Sequence, residues 1–224
     1  MNFLAHFLLA RHIDSADFHL GAILPDISRR AGFRIQEQHL SEVNSAYDLI
    51  AGIRLHWHAD ARFHNSELFH LGFHVWKEAL GPLIPETSRK FFLFHLLAEM
   101  WLDRLLLLEN PDAAFQFYES LAGIDAVLVF EMAERLGDTN RKLSATLEDF
   151  RQRRFILDYA APEKFASLAS GVFAHVSRQE FSIDLRSMIQ ETLPMLSQSG
   201  SKILSLWEDF SAALQKDLGQ GLKS

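Results

Sequence analysis

The sequence predicts an all-α fold, a single helical domain of roughly seven to nine helices. Three observations lead there. Apolar residues recur at spacings of three and four, and no stretch sustains the alternation of a strand. Only six prolines and eleven glycines occur, and they fall at boundaries between periodic segments. At 224 residues, 48% hydrophobic and 23% charged, the chain has the length and composition to bury one generous core.

Taken in order, "MNFLAHFLLARH" opens a first helix in which His6 shares a face with Phe3, Leu9, Ala10 and Ile13. "LGAILPD" (20–26) is expected to break that helix, with Asp26 in a turn after Pro25 as N-cap of the next one. The stretch "GIRLHWHADARFHNSELFHLGFH", from Gly52 to His74, holds five histidines and reads as helix. Its His56, Asp60 and His64 stand at i, i+4 and i+8 on one stripe, flanked by Ile53, Ala59 and Phe63. Arg54, His58, Arg62 and Asn65 fall on the opposite, solvated side, and His70 and His74 form a separate i, i+4 pair. "GPLIPETS" (81–88) ends this segment, with Thr87 or Ser88 as the N-cap of the succeeding helix. "FFLFHLLAEMWLDRLLLL" is apolar all round and therefore a buried helix. Its His95, Glu99, Asp103 and Arg104 are too costly for a membrane span. Asn110 before Pro111 starts another helix, and "AAPEKF" (160–165) a further one. The domain is expected to run to about residue 218, with 219–224 frayed.

Composition excludes several classes. Without cysteine there are neither disulfides nor thiolate metal sites, which fits a cytoplasmic protein. The opening segment lacks the basic start and small-residue cleavage site of a signal peptide. A net charge of −7 argues against general nucleic-acid binding, leaving local basic patches at Arg29 and at Arg151–Arg154.

Chemistry is expected in the first half, where ten of the eleven histidines lie at or before position 95. Along the buried helix His95, Glu99 and Asp103 repeat every four residues, and a buried carboxylate needs a partner cation, either a metal or an arginine from another helix. Imidazole and carboxylate without sulfur suit a divalent ion such as Mn²⁺, Fe²⁺, Mg²⁺ or Zn²⁺. Convergence of His6, Asp26, His56 and Asp60 would make such a site.

Four motifs, "MNFLAHFLLA", "LGAILPDISR", "AGIRLHWHAD" and "AEMWLDRLLL", resemble in order those of the acyl carrier protein phosphodiesterase family. The distal "FRQRRFILDYAAPEKFASLASGVFAHVSRQEF" and "ILSLWEDFSAAL" resemble its closing segments more weakly. The resemblance implies a helical fold related to the HD phosphohydrolases and a metal-dependent activity, Mn²⁺ favoured. The reaction it implies cleaves 4′-phosphopantetheine from acyl carrier protein. By position, His6, Asp26, His56 and Asp60 take the places of the family's metal-site residues, Glu99 and Asp103 those of its two acids, and Arg29 that of a phosphate contact. On that basis Asp103 could join the metal ligands, and His64 or Glu99 could move the leaving-group proton. Several rim positions depart from the pattern, among them Trp57, Ala59, His64 and Arg104. "LGAILPDI" and "FHLLAEMWLD" also look like the zinc-dependent phospholipase C-like family, which would keep the reaction and make the substrate a phospholipid or another small phosphodiester. A non-catalytic helical metal-binding protein is the reading outside enzymes.

Overall fold

The computed structural model describes residues 1–40, 47–84, 89–124, 126–177 and 184–221, and every regular element among them is helical. In chain order these are α1 (Phe3–Ala10), α2 (Ala16–Ala31), α3 (Glu37–Leu40), α4 (Tyr47–Phe63), α5 (Glu67–Leu80) and α6 (Lys90–Glu109). Then come α7 (Pro111–Ala122), α8 (Ala126–Arg135), α9 (Leu143–Arg153), α10 (Pro162–Ser177), α11 (Leu185–Thr192) and α12 (Ser197–Gly221). Short 3₁₀ turns occupy Gly81–Leu83, Phe155–Ala160 and Leu193–Leu196. No described helix is long and apolar enough to cross a membrane.

The twelve α-helices among the described residues exceed the seven to nine expected, and local caps account for much of the difference. Ser15 accepts a hydrogen bond from the Phe18 N–H, which separates α1 from α2. Ser66 accepts one from the Phe69 N–H and donates to the Phe63 carbonyl, so the histidine-rich stretch is two helices with His64 in the turn between them. The expected break at 20–26 does not occur. Helix α2 runs through Pro25, and Asp26 lies inside it rather than capping its successor. Pro25 has no N–H to offer the Gly21 carbonyl, yet the Ser28 hydroxyl donates to the Pro25 carbonyl at 2.8 Å and helix continues to Gly32. Gly32, at φ +92°, closes it with N–H bonds back to the last turn. The Thr87/Ser88 cap lies outside the described residues, as does 222–224; α12 itself continues to Gly221.

The chain groups into two compact units. The first comprises Phe3–Ala61 and Pro111–Phe155. Here α1 packs on α2 and α7, and α2 on α7 and α9. Edge-to-face rings of Phe3, Phe7, Phe117 and Phe150, at 4.7–6.0 Å, fill its core. Helices α2 and α4 meet backbone to backbone at Gly21 and Gly52, where a β-carbon on either glycine would run into the opposing chain. That contact brings the α4 side chains against α2.

The second unit comprises Met1–Asn2, Arg62–Asn110 and Ile156–Ser224. Helix α5 lies along α6, α12 packs on both, and α10 packs on α6 and α11. Gly72 of α5 faces Ala98 of α6, and Trp76 meets Trp101 edge to face at 6.0 Å. Arg104, on the far side of α6, donates to the Tyr159 and Ala160 carbonyls and lies 5.8 Å from the Phe165 ring.

Candidate metal centres

In the first unit α1 contributes His6 and α4 contributes His56 and Asp60. Both imidazoles are completely buried, and their rings stack with centroids 3.9 Å apart. His6 Nε2 is 3.2 Å from Asp60 Oδ1, and His56 Nε2 is 3.6 Å from Asp60 Oδ2 and 3.9 Å from Asp26 Oδ1. The i, i+4 spacing on α4 puts His56 and Asp60 side by side, as the sequence pattern anticipates. Asp26 reaches the same spot from the third turn of α2, and Arg29 pairs with it at 3.1 Å. Arg54, His58 and Arg62 are exposed, as expected for the opposite face.

The His56 ring orientation is fixed from outside the cluster. His56 Nδ1–H donates to the Ala22 carbonyl at 2.8 Å, a contact the Gly21–Gly52 approach makes possible. This leaves Nε2 as the lone-pair nitrogen facing the carboxylates. Burial holds His6 down at about 4, with His56 acting in the same direction and Asp60 opposing. Burial likewise holds His56 at about 4, against the pull of Asp60 and the Ala22 carbonyl. Both rings are therefore neutral at pH 7. For Asp60 burial works the other way, and the N-terminal charge and the close approach of His6 outweigh it, keeping the group a carboxylate.

The donor set fits a divalent ion. His6 Nδ1, His6 Nε2 and His56 Nε2 are buried without a partner in hydrogen-bond geometry, a cost of roughly 1–3 kcal/mol each unless something else binds there. Two neutral imidazoles and one ionised carboxylate, with a second carboxylate nearby, are the ligands Mn²⁺, Fe²⁺ or Zn²⁺ accept.

The other predicted residues gather elsewhere. In the second unit His64, His95 and Glu99 bring one donor atom each into a second group. The acid in this group pairs not with an arginine, as one sequence alternative had it, but with two imidazoles and the Met1 ammonium. Burial raises the Glu99 carboxyl, but the Met1 ammonium and the two imidazole hydrogen bonds bring it well below the usual carboxylate range. Asp103, completely buried one turn further along α6, belongs to neither triad. His74 pairs with Glu78 at 2.9 Å on an exposed face, and His70 is exposed. Sequence reasoning placed His95 on the correct helix but did not join it to His64. The joining signal was Ser66 followed by Glu67, a cap that ends the preceding helix and frees His64 from its stripe.

The described residues thus form an all-α protein with, among them, two His/Asp or His/Glu clusters that could hold a metal ion. Comparison with protein-family models, with curated proteins and with solved structures finds no match.

Proposed function

We propose that the chain is a metal-dependent phosphodiesterase working at the His6–His56–Asp60 centre, with acyl carrier protein carrying 4′-phosphopantetheine as its substrate. One observation carries the reading: two buried neutral imidazoles present unpartnered nitrogens beside an ionised carboxylate. Such a set costs stability unless a cation occupies it. The ordered motifs around these residues, resembling acyl carrier protein phosphodiesterases, supply the reaction class.

His6, His56 and Asp60 would hold the ion, Mn²⁺ by the same resemblance, and Asp26 would complete the set. When bound, the ion supplies Lewis acidity toward a phosphoryl oxygen and toward water. Asp26 and Asp60 would balance the cation's charge. Arg29, half exposed and anchored by Asp26, offers a guanidinium fork to a phosphate arriving from solvent. The Ala22 carbonyl keeps His56 in the one tautomer that presents Nε2.

A holo acyl carrier protein assay with Mn²⁺ tests the centre. Asp60→Asn should abolish turnover and remove the metal bound at this centre; a variant that keeps both refutes the proposal. Docking of an acidic carrier protein calls for a basic patch, and Arg154 is its most available member, since Glu148 and Asp149 already pair with Arg151 and Arg153. Arg154→Glu should raise KM for the carrier protein while leaving hydrolysis of bis(p-nitrophenyl) phosphate intact. Equal rates on both substrates would favour a small phosphodiester instead.

A further inference from the structure

We infer that His64, His95 and Glu99 form a second divalent-cation site, independent of the first and suited to Zn²⁺. His64 Nε2 and His95 Nε2 each lie 3.0 Å from Glu99 Oε1 and 3.2 Å from each other. Three ligand atoms around one tetrahedral zinc, with bonds of about 2.0–2.1 Å, are separated by roughly 3.3 Å. The triangle here has nearly that size.

Hydrogen bonding alone satisfies it poorly. If both Nε2 atoms carry hydrogens, two N–H groups converge on one oxygen from nitrogens only 3.2 Å apart, and their hydrogens crowd. If either is bare, its lone pair faces the carboxylate oxygen at 3.0 Å. A cation bound by both Nε2 lone pairs, with each ring's hydrogen on Nδ1, would remove the conflict. Met1 brings its ammonium to 3.2 Å from the same Oε1, and it is this ion pair that an arriving metal must displace.

The surroundings fix the rings and leave one side open. Phe69 sets its edge against both imidazoles at 5.0 Å, and the two rings lie nearly parallel with centroids 4.8 Å apart. His64 and His95 remain 31% and 28% exposed, unlike the fully buried rings of the first centre. Two histidines, one glutamate and an open side make the ligand pattern of a zinc site that retains a solvent or substrate position.

The test uses the full chain, stripped with chelator and dialysed against Zn²⁺, with bound metal counted by elemental analysis. Wild type should bind two equivalents. His95→Gln and Glu99→Gln should each bind one, and Asp60→Asn should also bind one by losing the other. Because His95 is partly exposed, His95→Gln is expected to fold, and a wild-type far-UV spectrum checks it. Should it not fold, Co²⁺ replaces Zn²⁺ in wild type and His64→Asn, and the visible absorption of an imidazole-bound cobalt must weaken in the variant. Unchanged stoichiometry and affinity in His95→Gln and Glu99→Gln, or an unchanged cobalt spectrum, overturns the second site. That outcome leaves the first centre standing, since only Asp60→Asn reports on it.

Discussion

Burying two neutral imidazoles couples stability to pH. In the unfolded chain a histidine takes up its proton near pH 6.5, whereas His6 and His56 hold off until about 4. Between those values the unfolded state binds more protons, so stability is fully present above pH 6.5 and is lost as pH falls toward 4. Each imidazole contributes up to about 1.4 kcal/mol per pH unit across that window. Urea denaturation of the metal-free protein should show a marked loss of stability from pH 7 to pH 5. His19, also lowered by burial, acts in the same direction, so His6→Gln isolates the share due to His6. If His6→Gln shows the wild-type pH dependence, the neutral-pair assignment is wrong. Much of this was legible beforehand: His56 and Asp60 sit four apart on a helix, and a histidine on the apolar face of an N-terminal helix had to be buried. Asp26 was read from its residues as the N-cap of a following helix, since Pro25 suggested a turn where the backbone stays helical; only the family resemblance put it with the metal-site residues.

Among the helices, the meeting of α2 and α4 at Gly21 and Gly52 controls the first centre. No side chain separates the two backbones, and the closeness allows His56 to reach the Ala22 carbonyl. Gly52→Ala forces the helices apart and should cost about 2–3 kcal/mol. It should also weaken metal binding although residue 52 is no ligand. Unfolding midpoints and metal affinity measured together check this, and a variant matching wild type in both would show that the contact tolerates a methyl. At the next boundary, Ser66→Ala removes the cap that separates α4 from α5. The expected loss is about 1 kcal/mol, read from the same unfolding curves. Helix existence was readable from periodicity throughout, but several boundaries were not. Ser15 with Gly32, and Ser66 with Glu67, are ordinary cap pairs, hidden inside segments whose apolar repeat continues across them.

At the scale of the whole chain, the all-α class emerged directly from the periodicity. The division into two units did not, because the first is assembled from Phe3–Ala61 and Pro111–Phe155, with a long stretch of the second inserted between them. Apolar spacing reports which face of a helix is buried and says nothing of which distant helix covers it. Each unit carries its own candidate centre, so metal should stabilise both. Saturating Mn²⁺ or Zn²⁺ at about a hundredfold over Kd adds roughly 2.7 kcal/mol per site. For a chain of this length that raises the melting temperature by about 5–10 °C, and chelator should reverse it. A melting temperature indifferent to both would argue against either centre binding metal in the native state. The stacking of His6 on His56 at 3.9 Å has a spectroscopic consequence of its own. Each ring lies in the shielding current of the other, so their carbon-bound protons resonate upfield of free imidazole, and an ion drawing the rings out of parallel would move both signals together.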